Sequence, residues 1–191
     1  MICGIDEAGR GPLAGPVCAA AVVLSDNFPV KLLNDSKKLS VKQRNEARII
    51  ICEEALFWGI GWATHTEIDQ INILQASLLA MKRAFEEMVK KALDKNIRLT
   101  SENVNAIADG TYVPKINVPV IAMVKADAKV SEVMAASILA KTERDIYMDK
   151  MAELYPQYGY DKHKGYPTKS HRQAVLKHGP SPIQRLSFKV K

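Results

Sequence analysis

Cysteine is scarce and scattered. Cys3, Cys18 and Cys52 are odd in number and include no C-x-x-C pair, which excludes a disulfide framework and a thiolate zinc site. All three read as small buried hydrophobes. Long apolar runs are missing too: the longest, Val17 to Leu24, falls far short of the roughly 18 residues that a membrane-crossing helix needs. Asp6 and Glu7 stand where a secretory signal would carry its apolar stretch. A cytoplasmic protein with no membrane segment is the expectation. Signatures of several other chemistries are also absent. There is no G-x-x-x-x-G-K-[ST], no H-E-x-x-H and no G-x-S-x-G, and GRGPLAG is not the dinucleotide fingerprint. His65, His163, His171 and His178 form no recognisable ligand set and read as surface or phosphate-adjacent residues.

The longest stretch without an acidic residue is the C-terminal one. Residues 162–191 carry eight Lys and Arg and no Asp or Glu, whereas the chain as a whole balances 27 basic against 21 acidic side chains. The net charge of +6 therefore belongs to the tail, and the body is slightly acidic. A basic end on a near-neutral body suits a polyanionic partner, because each Lys or Arg laid on a phosphate releases counterions. Four of the six tyrosines, Tyr155, Tyr158, Tyr160 and Tyr166, run into this stretch. Basic residues interleaved with aromatics can grip a nucleic-acid backbone, although the first three fit better as anchors of a loop onto a core. With 47% apolar and 25% charged residues and no internal repeat, the 191 residues have ordinary globular composition. One continuous unit is expected, about 1–145 as core and about 146–191 as a helical, basic extension.

Residues 2–5 and 17–24 are β-rich runs flanking the Gly/Pro-dense EAGRGPLAGP, and residues 58–64 supply a third strand. Ser40 with Gln43 makes a capping box for a helix over about 41–56. Thr66 with Asp69 resembles a second helix start, before a long helical pattern over 71–93. Residues 104–108 and 118–124 read as two more strands, 131 to about 154 as a strong helix and 170–178 as a weaker one. Three consecutive strands followed by helix–strand alternation point to an α/β sheet of mixed direction.

Carboxylates fall where three of these strands finish: Asp6 and Glu7, Asp109, and Asp127. Sites in open α/β sheets form beyond the carboxyl ends of strands, so the acids could converge. Gathered without a cation they would repel one another, and hard oxygen donors suit Mg²⁺ or Mn²⁺. Asp6 and Glu7 point to opposite faces of a strand and can share a metal only if the backbone bends between or just after them. Gly9 and Gly11 permit that bend and let the backbone approach a ribose or phosphate. A lone acid at a strand end is more often a turn residue or a helix cap.

These residues resemble ribonuclease HII, the prokaryotic type 2 ribonuclease H. The likeness runs through GIDEAGRGPLAGPV (4–17), NDSKKLS (34–40), IADG (107–110), VKADAKV (124–130), AASILAKTERD (135–145), YPQYGYDKHKGYPT (155–168) and RLSF (185–188). It implies a ribonuclease H-like fold, a mixed sheet flanked by helices with a helical C-terminal extension. It also implies cleavage of RNA in RNA–DNA hybrids and 5′ to single ribonucleotides embedded in duplex DNA, leaving a 5′-phosphate and a 3′-hydroxyl. The family's acidic quartet falls on Asp6, Glu7, Asp109 and Asp127, which would hold two divalent ions, Mn²⁺ or Mg²⁺, for an in-line displacement. Its ribose-reading element falls on Gly9, Arg10 and Gly11, and its sugar-side tyrosine on Tyr166. Arg10, Ser36, Lys37, Lys38 and Lys164 are candidate phosphate contacts. Ala126, the Ser131-Glu132-Val133 connection and Pro167 depart from the usual bacterial pattern without removing a ligand.

Two other readings remain in view: a nucleic-acid-binding module without turnover, and a small-molecule nucleotide enzyme. The acid quartet speaks against the first, since a pure binder has no use for carboxylates opposite a polyanion. The missing phosphate-cradling loop speaks against the second. Nothing in the sequence demands more than a monomer.

Overall fold

Alternation of side chains along the second run decides how the sheet is covered. In the computed structural model, which describes residues 1–33 and 39–190, Val17–Val23 forms strand β2 and all seven of its residues are buried. Val17, Ala19, Ala21 and Val23 join one apolar cluster, whereas Ala20 and Val22 join another on the opposite face. β2 pairs antiparallel with β1 (Ile2–Ala8) on one side and with β3 (Phe57–Ala63) on the other. β1 then pairs parallel with β4 (Asn105–Asp109), and β4 parallel with β5 (Val120–Met123), giving the order β3-β2-β1-β4-β5. The expected mixed sheet is present, and the carboxyl ends of β1, β4 and β5 lie side by side.

Helices cover both faces. Helix α1 (Val41–Glu54) begins at the expected capping box: Ser40 Oγ accepts from the Gln43 amide, and the Gln43 side chain accepts from the Ser40 amide. Helix α2 (His65–Asp94) starts earlier than Thr66 and Asp69 suggested. Thr64 is the N-cap, because its hydroxyl accepts from the Glu67 amide while Glu67 accepts from the Thr64 amide at 2.8 Å. Asp69 is engaged elsewhere. Asn72 interrupts the helix at φ 66°, and its side-chain oxygen accepts from the amides of Leu74 and Gln75, capping the longer piece that follows. That piece packs Ala76, Ala80, Ala84 and Met88 on the sheet. Helix α3 (Ser131–Leu154) lies with α1 on the other face, through Ala135, Ala136, Ile138 and Leu139 against Ala47 and Ile51. It comes so close to β1 that a Cβ on Gly4 would stand 2.1 Å from the Glu132 carbonyl carbon.

Past α3 the chain forms a one-turn helix α4 (Tyr160–His163) and helix α5 (Lys169–His178). Tyr158, Tyr160 and Ile183 make a third cluster with Met148 of α3 and with Ala14 from the loop after β1. The extension thus packs on the segment joining β1 to β2. Cys3 and Cys18 are buried as expected, but Cys52 is only half-buried, at the margin of its cluster. Among the described residues no helix is long and apolar enough to cross a membrane.

Candidate active site

β1 does not stop at Ile5. It runs on to Ala8, pairing Asp6 with Ala20 and Glu7 with Ala19, so no bend separates the two acids. Cys3 and Ile5 face α2, which turns Asp6 toward α3, where the Ser137 side chain hydrogen-bonds it. Glu7, one residue on, belongs by alternation to the other face. Asp109 closes β4. Asp127 sits beyond β5 in a short 3₁₀ turn (Ala126–Ala128), entered through Lys125 in the left-handed region at φ 59°. The carboxylate of Asp109 accepts from the Ala126 amide at 2.7 Å and so ties the two strand ends together.

Side by side, these ends bring one carboxylate oxygen each of Asp6, Asp109 and Asp127 within 4.8 Å of one another. Glu7 stands outside that group but lines the same cleft of about 260 Å³. Burial, the Glu7 charge and then the Asp109 charge push the Asp6 carboxyl well above the usual carboxylate range, with the Ser137 hydrogen bond opposing. Burial raises Glu7 as well, offset in part by the Arg10 guanidinium 3.3 Å away. Three converging oxygens, one on a carboxyl whose pKa is raised first by burial and then by its acidic neighbours, match the donor set of a hard divalent ion.

The bend comes after the acids, at Gly9. Its φ of 97° is in the region that favours glycine, and a Cβ there would meet Arg144 Nε at 2.1 Å. Gly9, Arg10 and Gly11 all line the cleft with the acids. Tyr166 lines it too: its ring would lie 3.6 Å from a Cβ on Gly11, and its own backbone is held by His171 Nδ1 on the carbonyl at 3.0 Å. Lys164 is placed differently, with Nζ paired to Asp149 and its carbonyl accepting from Arg144; it is not among the cleft's lining residues. Ser36, Lys37 and Lys38 lie outside the described residues.

Two histidines correct the sequence reading. His163 and His171 are buried, not at the surface, and stack at 4.6 Å between ring centroids beneath the Tyr166 loop. Burial lowers the pKa of both. Ser137 and Lys141 line the cleft and were not foreseen. With Arg144 they fall at i, i+4 and i+7 on α3, a polar stripe within AASILAKTER that is legible as one face of a helix.

The comparisons with known proteins bear on the whole chain. The ribonuclease HII family model matches residues 3–191. The ribonuclease HII of Treponema denticola is 53% identical, covering 100% of this chain and 99% of its own length. That of Dechloromonas aromatica is 50% identical, over 98% of this chain and 90% of its own. Among solved structures, the ribonuclease H2 of Pyrococcus horikoshii superposes with a TM-score of 0.72 at 26% identity, over 99% of this chain and 94% of that one. Likeness of this extent, in both sequence and backbone, places the chain in the ribonuclease HII family.

Proposed function

We propose that this family member, an endoribonuclease acting on the RNA of RNA–DNA hybrids, also cuts duplex DNA 5′ to a single embedded ribonucleotide. The observation that carries the reading is the meeting in one cleft of the acids, the Gly9-Arg10-Gly11 backbone and the Tyr166 ring. Asp6, Asp109 and Asp127, with Glu7 beside them, are the residues that would hold two divalent ions, Mg²⁺ or Mn²⁺. When bound, such a pair activates a water for in-line attack and offsets charge on the leaving 3′-oxygen. The chain's own residues do the rest. Ser137 fixes the Asp6 carboxylate on the α3 side. Arg10, held near Glu7, and Lys141, 2.7 Å from Asp145 at the cleft wall, offer cations to the phosphate backbone. The 2′-hydroxyl, both donor and acceptor, is the group that distinguishes a ribonucleotide from its neighbours, and the cleft-lining backbone at Gly9–Gly11 is the part of the chain that would read it. The Tyr166 ring offers an apolar face to the adjoining sugar.

The test is cleavage of a labelled DNA duplex holding one ribonucleotide, with Mg²⁺, with Mn²⁺ and with chelator, mapping the cut and its ends. A metal-dependent cut at the DNA–ribonucleotide junction, leaving a 3′-hydroxyl and a 5′-phosphate, is expected. Cleavage confined to continuous RNA strands would remove the single-ribonucleotide reading.

A further inference from the structure

Two buried arginines, Arg144 and Arg185, stand behind the Gly9–Pro16 segment, the second of them in the basic tail and in its RLSF stretch. Arg185 is 0% exposed. Its Nε donates to the Gly15 carbonyl (2.8 Å), its Nη1 to Arg10 (3.0 Å) and Pro12 (2.8 Å), and its Nη2 to Gly9 (2.6 Å) and Pro16 (3.2 Å). A guanidinium has five N–H donors in a rigid fork, and here five main-chain carbonyls meet them. Arg144, at 1% exposure, donates to the carbonyls of Pro16, Ala14 and Lys164, joining the same segment to the Tyr166 loop. Among the described residues no carboxylate lies within ion-pair distance of either guanidinium.

The side chain of Arg185 is delivered by a docked tail. The Arg185 amide donates to the Leu13 carbonyl at 2.9 Å, and the Gly15 amide to that of Ile183 at 2.8 Å. Asp69 of α2 accepts from the amides of Leu186 and Ser187, each at 2.9 Å, and from the Ser187 hydroxyl. The tail is thus fixed on both sides of the arginine.

Peptide geometry gives this clip a consequence at the cleft. In a trans peptide the C=O and N–H point in opposite directions, and no peptide here is cis. Turning the carbonyls of Gly9 and Arg10 onto Arg185 leaves the N–H groups of Arg10 and Gly11 pointing away from it, on a stretch that lines the acid cleft. Among the described residues neither N–H has a hydrogen-bond partner. A buried cation without a counter-ion is a costly way merely to fasten a loop, since an apolar plug would do that at less expense. Its specific product is the orientation of these peptides.

We propose that Arg185 is a positioning residue for ribose recognition, fixing the Gly9–Gly11 peptides so that two main-chain donors face the ribonucleotide. The inference rests on the reading of that loop given under Proposed function. A lysine keeps the charge but brings three donors and no fork, so it leaves carbonyls unmet and the peptides free to rotate.

The experiment compares wild type, Arg185→Lys and Asp69→Asn for kcat and KM on a single-ribonucleotide duplex and on a continuous RNA–DNA hybrid. Amide hydrogen exchange at Leu13 and Gly15 is followed in the same proteins. For Arg185→Lys the expected result is a loss of at least about tenfold in kcat/KM on the single-ribonucleotide duplex, the cost of a misplaced hydrogen-bonding group. A smaller loss is expected on the hybrid, whose many 2′-hydroxyls offer other contacts, together with faster exchange at both amides. Asp69→Asn, which keeps one acceptor oxygen but meets the second tail amide with an NH2 group and so loosens the tail without touching the loop, should shift the same ratio in the same direction by less, and it stands in if the arginine variant does not fold. Equal losses on both substrates, or unchanged exchange in a folded variant, overturn the proposal. If wild type itself leaves the single-ribonucleotide duplex uncut, the functional reading fails, while the exchange data still report whether Arg185 holds the loop.

Discussion

The Asp109 carboxylate accepts a hydrogen bond from the Ala126 amide at 2.7 Å. One oxygen of a candidate ligand is thereby committed to holding the turn that carries another, Asp127. Because this bond needs only an acceptor, the amide of asparagine can keep it while giving up the charge. Asp109→Asn is therefore expected to fold with a melting temperature no lower than wild type in the absence of metal and to bind hybrid as well as wild type or better. Its cleavage rate should fall by at least about a hundredfold, as the loss of several kcal/mol of metal-mediated stabilisation implies. Rates and gel-shift affinities measured on one preparation decide it, and wild-type turnover would remove Asp109 from the site.

Asp6 makes the acid cluster a source of instability when no cation is present. Its folded pKa is raised by burial and by Glu7, so the protonated form is favoured in the fold. The associated stability is full below the unfolded value of 3.8 and is lost as pH rises through the raised one. In chelator, Asp6→Asn should thus melt a few degrees above wild type near pH 7.5, with the gap closing as pH falls toward 4. Added Mn²⁺ should raise the wild-type melting temperature and leave the variant nearly unmoved. Thermal scans at the two pH values, with and without metal, check both parts; a variant that melts below wild type in chelator contradicts them.

In the proposed reading Tyr166, whose ring lines the cleft beside Gly11, meets the substrate through its ring face and not its hydroxyl. Stacking of this kind is worth about 1–3 kcal/mol, so Tyr166→Ala should lose roughly ten- to hundredfold in kcat/KM on a single-ribonucleotide duplex. Tyr166→Phe should stay close to wild type. If the alanine variant cuts at the wild-type rate, the ring has no part in substrate binding.

Helix α2 carries an acid-labile fastening at its start. Glu67 accepts from both terminal nitrogens of Arg83, and chiefly for that reason its pKa falls to about 2. Stability from a depressed carboxyl is present above its unfolded value of 4.5 and is lost as pH drops through about 2. Glu67→Gln should cost up to about 1 kcal/mol at pH 7, since both partners are partly solvated, and visibly less at pH 3. Urea titrations at the two pH values measure it; an equal cost at both would mean that charge is not what matters there.

Much of this was written in local sequence. The Ser40–Gln43 box, the 17–24 run and the Ala-rich helix from Ser131 announce themselves through capping chemistry and periodicity, and the acids at strand ends through their positions. What could not be read depends on partners far along the chain. The exception is local: Thr64 rather than Thr66 opens α2 because Thr64 and Glu67 complete the capping box. His163 and His171 looked like surface groups because polarity alone predicts exposure, yet they stack under the Tyr166 loop. Arg185 sat in a basic stretch whose charge suggested phosphate contact, and only the fold shows it turned inward onto carbonyls.

Arg185 also sets an order of events in the making of the protein. Asp6, Glu7 and the Gly9–Gly11 segment leave the ribosome well before the guanidinium that packs behind that segment. Strands and acids can gather while synthesis continues, but the Gly9–Gly11 peptides have nothing to wrap around until the tail is free to dock. A nascent chain stalled before position 185, or one clipped there by a protease, lacks the guanidinium that meets the carbonyls of Gly9, Arg10 and Pro12.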